Sequence, residues 1–167
     1  MIFSDRDFTK PFWGHIDISD SDFDWNKMMF LVDTHSKDDY HQIKEKFRLS
    51  LNNFHLRGSS PEFAQNIYQE MKETFWKNAI TNIAFIGFGV KTVSYPLHKD
   101  KMDVFLFQAL GDMKIRVEDE IRKFIPGDYV YIPRGTHHQI LPEASRVTFS
   151  FGVERDPAPI EYLPSNI

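Results

Sequence analysis

The sequence predicts a mainly β fold, a barrel or sandwich of short strands with a helical segment packed on it, and three observations carry that prediction. From Ile80 onward the chain breaks into short β-rich runs separated by turn residues. Ahead of them lies one amphipathic helix, and ahead of the helix a polar, aromatic-rich stretch with little periodicity. With 167 residues, 41% of them apolar and 15% aromatic, the chain can fill the core of one domain without cross-links.

Residues 1–58 read as a wrapping, partly irregular segment, with an Asp-rich loop at 17–24 and a short helix near Asp38–Leu49. The Asp-rich loop lacks the glycine and distal glutamate of an EF-hand, so it reads as solvated rather than calcium-binding. Phe12-Trp13 reads as core or as cover for a barrel end. Ser59-Ser60-Pro61-Glu62 gives a helix start, with Ser59 as N-cap and Glu62 as its capping-box partner. Phe63, Ile67, Met71 and Phe75 then form one apolar face running to about Asn78, suited to packing on the outside of a sheet.

Eight strands follow: Ile83–Phe88, Lys91–Tyr95, Val104–Gln108, Lys114–Val117, Ile121–Phe124, Tyr129–Ile132, His138–Leu141 and Arg146–Val153. Gly89, Gly111-Asp112, Glu118-Asp119-Glu120, Pro126-Gly127-Asp128 and Arg134-Gly135 supply the turns. The expected organisation is one domain over 1–167, with an extended and helical segment at 1–80 and a barrel core at 81–155.

Composition removes several functions. The chain has no cysteine, so disulfides, Cys-ligated zinc, iron–sulfur clusters and thiol nucleophiles are excluded, and a metal would have to be held by His, Asp or Glu. A formal net charge of −4 with mixed signs offers no basic field for nucleic acid. The apolar runs are too short to span a membrane, and Met1–Arg6 has no signal-peptide character, so a soluble cytoplasmic protein is the expectation.

Two patterns carry chemistry. In His98-Lys99-Asp100, a spacing of two on a strand puts both side chains on one face. In Gly127 to His138, a strand ends in Pro133-Arg134-Gly135 and delivers a histidine, which matches the second motif of the cupins and selects His138 over His137. A jelly roll, or double-stranded β-helix, faces these two strands in its interior. His98, Asp100 and His138 would then share one face of a metal and leave the opposite positions open, the arrangement suited to non-haem iron(II) and oxygen. His137 points the other way and reads as a rim residue; His15, His35, His41 and His55 lie outside the barrel strands.

The stretch His98-Lys99-Asp100-Lys101-Met102-Asp103-Val104-Phe105-Leu106-Phe107-Gln108-Ala109-Leu110-Gly111, together with Gly127–Gln139, resembles the catalytic barrel of the ribosomal oxygenases, JmjC-like cupins that depend on iron(II) and 2-oxoglutarate. The resemblance covers about Ile83–Val153. The helical and winged-helix regions that follow the barrel in those enzymes have no counterpart before Ile167, so the expectation is a minimal catalytic barrel. The resemblance implies that His98, Asp100 and His138 hold Fe(II), and that 2-oxoglutarate and O2 are consumed to succinate and carbon dioxide as a substrate C–H bond, by resemblance in a polypeptide side chain, is hydroxylated.

One departure matters. The family carries Lys or Arg two residues after the glycine to bind the far carboxylate of 2-oxoglutarate, and here that residue is Met113. Lys114 would serve only with a shifted register. Arg146, followed at two-residue steps by Thr148 and Ser150, resembles the Arg-x-Ser of other branches, and its planar fork suits a carboxylate. Tyr95 and Gln108 are further candidates for contacts with the cosubstrate. Two alternatives stay open at this point. One is a metal cupin that acts on a small molecule without 2-oxoglutarate, as a dioxygenase or isomerase; the other is a non-catalytic cupin that binds a ligand. Exposed sheet edges also raise the expectation of a homodimer.

Overall fold

The computed structural model describes residues 1–34, 40–43, 48–54, 60–89 and 94–155. Its first strand is β1 (Phe12–His15), followed by α1 (Trp25–Thr34), β2 (Tyr40–Ile43), β3 (Arg48–Asn52) and α2 (Glu62–Thr74). The β-rich half contains β4 (Ala79–Gly87), β5 (Asp103–Leu110), β6 (Met113–Val117), β7 (Glu120–Phe124), β8 (Asp128–Ile132), β9 (His138–Pro142) and β10 (Arg146–Glu154). The strands form a seven-stranded sheet in the order β1-β8-β5-β10-β4-β3-β2 and a three-stranded sheet in the order β7-β6-β9, with antiparallel pairing throughout. This is a jelly roll, as the turn spacing predicts.

Strand alternation sorts the apolar residues into two cores. On the inner face of the large sheet, Val104, Leu106, Val130 and Ile132 meet Met113, Ile115, Val117 and Phe124 of the small sheet. On the outer face, Phe105, Phe107, Tyr131, Phe149 and Phe151 are covered by Met28 and Leu31 of α1 and Ala64, Ile67 and Met71 of α2. β5 is buried on both faces, which explains why Val104–Phe107 reads as a continuous apolar run rather than an alternating one. Phe12 of β1 stacks on Tyr131 at 4.9 Å and Trp13 meets Phe124 edge-on at 6.1 Å, so the Phe12-Trp13 pair divides between the two cores.

The N-terminal part corrects three expectations. The segment expected to be a short helix near Asp38–Leu49 holds strands β2 and β3, which extend the large sheet through the register Leu51↔Ala84 and Leu49↔Ile86. Residues 38, 39 and 44–47 of that expected helix lie outside the described residues, and on either side of 44–47 the pairing of β2 with β3 and of β3 with β4 decides the conformation. Within the segment read as irregular, α1 starts where Asp24 caps it, the Asp24 carboxylate accepting the Lys27 N–H at 2.8 Å. The N-cap of α2 is Pro61, without a side-chain cap. Ser59 lies outside the described residues, while the Ser60 hydroxyl turns back to donate to the Phe54 carbonyl. In the expected strand Lys91–Tyr95, Ser94 and Tyr95 lie outside any ladder, and 91–93 lie outside the described residues.

Gly111 shows how tightly the β5–β6 connection is built. Its φ is +70°, and a Cβ there would sit 2.0 Å from the Ser145 carbonyl oxygen. The left-handed conformation alone costs a non-glycine residue about 1–2 kcal/mol, and the clash is with backbone. Gly111→Ala is expected to destabilise by at least about 2 kcal/mol, lowering the melting temperature by roughly 4–8 °C, as thermal unfolding followed by circular dichroism would read.

Candidate metal centre

His138 opens β9, and His98 faces it from the loop before β5 through a pair of backbone hydrogen bonds, His98 N–H to His138 O at 3.1 Å and His138 N–H to His98 O at 2.9 Å. His98 thus lies in an isolated bridge and Asp100 in a loop, not on the continuous strand that their spacing suggests. Their side chains nevertheless converge. One ligand atom from each of His98, Asp100 and His138 lies within 4.8 Å of the others, and among the described residues they are the one such group of His, Asp and Glu.

The ring orientations are set from behind. His98 Nδ1 lies 2.8 Å from the Pro96 carbonyl and His138 Nδ1 lies 3.1 Å from the Thr136 carbonyl. A carbonyl only accepts, so each Nδ1 donates and each Nε2 of a neutral ring turns its lone pair inward. His138 Nε2 is 3.3 Å and His98 Nε2 3.8 Å from the Asp100 carboxylate. When the rings are protonated, the hydrogen bond from His138, opposed by burial and aided by the positive charges of His138 and His98, holds the Asp100 carboxyl below the ordinary carboxylate range; with both rings neutral that proton is absent. Two imine lone pairs and a carboxylate are all acceptors, and such a cluster is satisfied by a shared proton or a cation. The donor set fits a divalent metal with open positions.

Those open positions face a cavity of about 310 Å³. Ile83 and Phe85 of β4, Leu106 of β5 and Ile140 of β9 give it apolar walls, with Ser150 on β10 and Tyr95 at the mouth. Tyr95 lies 5.5 Å from the His98 ring, centroid to centroid, and is exposed. Arg146 and Thr148 line a smaller recess of about 40 Å³ that shares Phe85, Ser94, Tyr95 and Ile140 with the main cavity. The alternation of Arg146, Thr148 and Ser150 along β10 therefore brings all three to the interior, as their spacing predicts. Both Arg146 (5% exposed) and Thr148 (1%) are buried.

The other candidates separate. Gln108 is buried and lines neither the cavity nor the recess: its amide donates to the Leu110 and Gly111 carbonyls at 2.8 Å each, and its carbonyl accepts the Thr148 hydroxyl at 2.8 Å. It supports Thr148 rather than lining the site. Lys114 is a correction. Met113 pairs with Phe124 and Pro142 without a register shift, so Lys114 lies on the outer face, ion-paired with Glu143 at 2.6 Å. Met113 occupies the inner position, its sulfur 3.7 Å from the Thr148 hydroxyl. His137 is half-exposed and pairs with Glu118 at 3.5 Å, the rim position expected of it.

Sequence reading missed a buried acid next to the ligands. Asp103 has no exposed surface, and it accepts the Tyr131 hydroxyl at 2.6 Å and the Arg134 N–H at 2.8 Å while pairing with Arg155. Burial first, and then the bond to Asp103, push the Tyr131 phenol far up. The available signal was an acidic residue directly ahead of the apolar run Val104–Phe107.

No family model and no curated protein matches the chain. Among solved structures, the ribosomal oxygenase YcfD from Escherichia coli in complex with cobalt and 2-oxoglutarate superposes with a TM-score of 0.62 and 16% identity, covering 90% of this chain and 49% of that one. A second structure of Escherichia coli YcfD gives 0.61 and 16%, over 91% of this chain and 51% of that one. The complex of YcfD with cobalt and succinic acid gives 0.54 and 20%, over 67% and 32%. This chain therefore spans between 32% and 51% of the length of these neighbours. The likeness shows a shared jelly-roll fold, consistent with the resemblance carried by the two motifs.

Proposed function

We propose that this protein is an iron(II)- and 2-oxoglutarate-dependent oxygenase that hydroxylates a C–H bond, with a polypeptide side chain as substrate on the strength of the motif resemblance. The observation that carries the reading is a two-histidine, one-carboxylate cluster opening onto a cavity that has a buried arginine in its side recess. Bound by His98, Asp100 and His138, iron(II) supplies the oxygen chemistry that couples decarboxylation of 2-oxoglutarate to succinate with insertion of the second oxygen atom into the substrate.

The protein's own share is binding, orientation and exclusion of water. The Arg146 guanidinium is the cation for the far carboxylate, since a buried dianion needs a charged donor. Met113, where the family carries that cation, shares a layer with Thr148 on β10. The positive charge has in effect moved across the barrel from β6 to β10. Thr148, its hydroxyl hydrogen committed to Gln108, walls the recess, and Ser150 and Tyr95 offer hydroxyls in the cavity that His98, Asp100 and His138 line. The apolar walls keep bulk water from the reacting centre.

Met113 also favours the second reading, a metal cupin enzyme that does not use 2-oxoglutarate. Anaerobic titration of the iron(II)-loaded protein with 2-oxoglutarate decides between them. A weak visible charge-transfer band, developing with 2-oxoglutarate and saturating at one equivalent per iron, is the expected result. Iron uptake without any band would transfer the site to the second reading.

A further inference from the structure

The buried acid that heads β5 has no part in the chemistry proposed above, yet it is bonded to the turn that delivers His138. Burying a carboxylate is costly unless hydrogen bonds replace its water, and Asp103 is supplied on both oxygens. One accepts the Tyr131 hydroxyl at 2.6 Å and contacts Arg155 Nε; the other accepts the Arg134 N–H at 2.8 Å and Arg155 Nη2 at 3.2 Å.

These bonds close a ring that includes the backbone of Asp100. Arg134 lies in the turn closed by the Thr136 N–H to Pro133 O bond at 3.2 Å, and the next residue, Gly135, donates its N–H to the Asp100 carbonyl at 2.9 Å. Gly135 has a φ of +80°, so the chain reverses there before it reaches His138. The turn is thus tied at Arg134 to Asp103 and at Gly135 to Asp100, and only Lys101 and Met102 separate the two acids. Arg155 adds the end of β10 and the N-terminal segment: its Nη2 also donates to the Phe8 carbonyl at 3.2 Å, while its own carbonyl accepts Arg134 Nη1 at 3.3 Å.

We infer that Asp103 is a positioning residue for the metal centre: together with Tyr131 and Arg155 it locks the Arg134-Gly135 turn and thereby sets the approach of His138 to Asp100. The inference rests on the reading of His98, Asp100 and His138 as metal ligands. Partners behind a ligand typically contribute 10- to 100-fold to metal affinity, and here the partner acts through backbone rather than through the ring.

The test is cobalt(II) titration of the wild-type chain, Asp103→Asn and Tyr131→Phe, read by visible absorption, with amide hydrogen exchange of Arg134 measured on the metal-free proteins. Asp103→Asn is expected to bind cobalt roughly 10- to 100-fold more weakly and to speed exchange at Arg134, whose N–H loses its charged acceptor. Tyr131→Phe keeps the ring among Phe8, Phe12 and Phe75 and should weaken cobalt binding several-fold in the same direction. Gly111→Ala controls for destabilisation as such, and should keep wild-type cobalt affinity. A folded Asp103→Asn that binds cobalt within twofold of wild type overturns the inference, leaving Asp103 as a purely structural ion pair. If Asp103→Asn does not fold, Tyr131→Phe decides by the same criterion. Absence of cobalt uptake by the wild-type chain would instead defeat the metal-site reading itself.

Discussion

Asp100→Ala is expected to abolish metal-dependent turnover and to weaken metal binding beyond the roughly 10- to 100-fold that loss of an outer partner costs. The reason lies in the donor set. His98 and His138 are neutral donors, and Asp100 supplies the only charge among the three atoms that converge within 4.8 Å. Without it the remaining pair offers two imidazoles on a loop and a strand end, which neither fixes three sites of an octahedron nor offsets the charge of a divalent ion. The fold should survive, because the Asp100 side chain is 36% exposed and the bond that ties this loop to Gly135 is made by the Asp100 backbone carbonyl. A substitution of that kind stays within about 0.5 kcal/mol, or about 2 °C in melting temperature for a chain of this size. Iron or cobalt titration beside thermal unfolding of the metal-free protein checks both halves. Equal metal affinity in the variant would remove Asp100 from the site, while loss of folding would show that the loop is structural.

Which parts of this molecule were legible in its sequence follows from the distance over which each part is determined. The strands of the second half announce themselves by runs of five to nine residues separated by turn residues, and Gly89, Gly111, Gly127 and Gly135 do adopt positive φ. The inner direction of Arg146 follows from alternation with Val147, Phe149 and Phe151, which belong to the outer core. The first 58 residues resisted because their partners are remote. β1 has four residues and is held by β8, more than a hundred positions away, and β3 is held by β4 across α2. Strands that short owe their existence to the sheet that they join. In α1 the periodic signal is blurred by an outer face that is itself apolar, with Trp25, Met29 and Phe30 exposed beside buried Met28 and Leu31.

The same distinction runs through the site. His98, Asp100 and His138 are readable because each pair or motif is local, even though the backbone beneath His98 and Asp100 is a loop and not a strand. Lys114 stayed open because one residue of register decides whether it or Met113 points inward, and only the observed pairing Lys114↔Leu141 and Lys114↔Lys123 settles that. Asp103 was visible as a letter in the motif, but its meaning depends on Tyr131 and Arg155, separated from it by 28 and 52 positions. No local spacing carries that information.

The second large effect is expected at Arg146. Replacing it with alanine should leave metal affinity unchanged, because Arg146 lines the side recess and not the wall that carries the three ligands, while affinity for 2-oxoglutarate collapses. Removing one partner of a buried, hydrogen-bonded charge pair costs about 2–5 kcal/mol, which corresponds to roughly 30- to 4,000-fold in affinity. Arg146→Lys should fall between, since it keeps the charge but loses the planar fork that meets a carboxylate through two parallel bonds. Arg146→Met retains most of the buried volume of the side chain and guards against a collapse of the recess being mistaken for loss of charge; it should behave as alanine does toward 2-oxoglutarate and as wild type in thermal unfolding. The readout is the Michaelis constant for 2-oxoglutarate at saturating iron, beside the cobalt dissociation constant. An unchanged Michaelis constant in all three variants would mean that the far carboxylate is held by another group or that the cosubstrate is not used. The structure distinguishes those outcomes in advance: Lys114 is on the outer face in its pair with Glu143, so if Arg146 is silent and the charge-transfer band is also missing, the site belongs to a metal cupin of different chemistry.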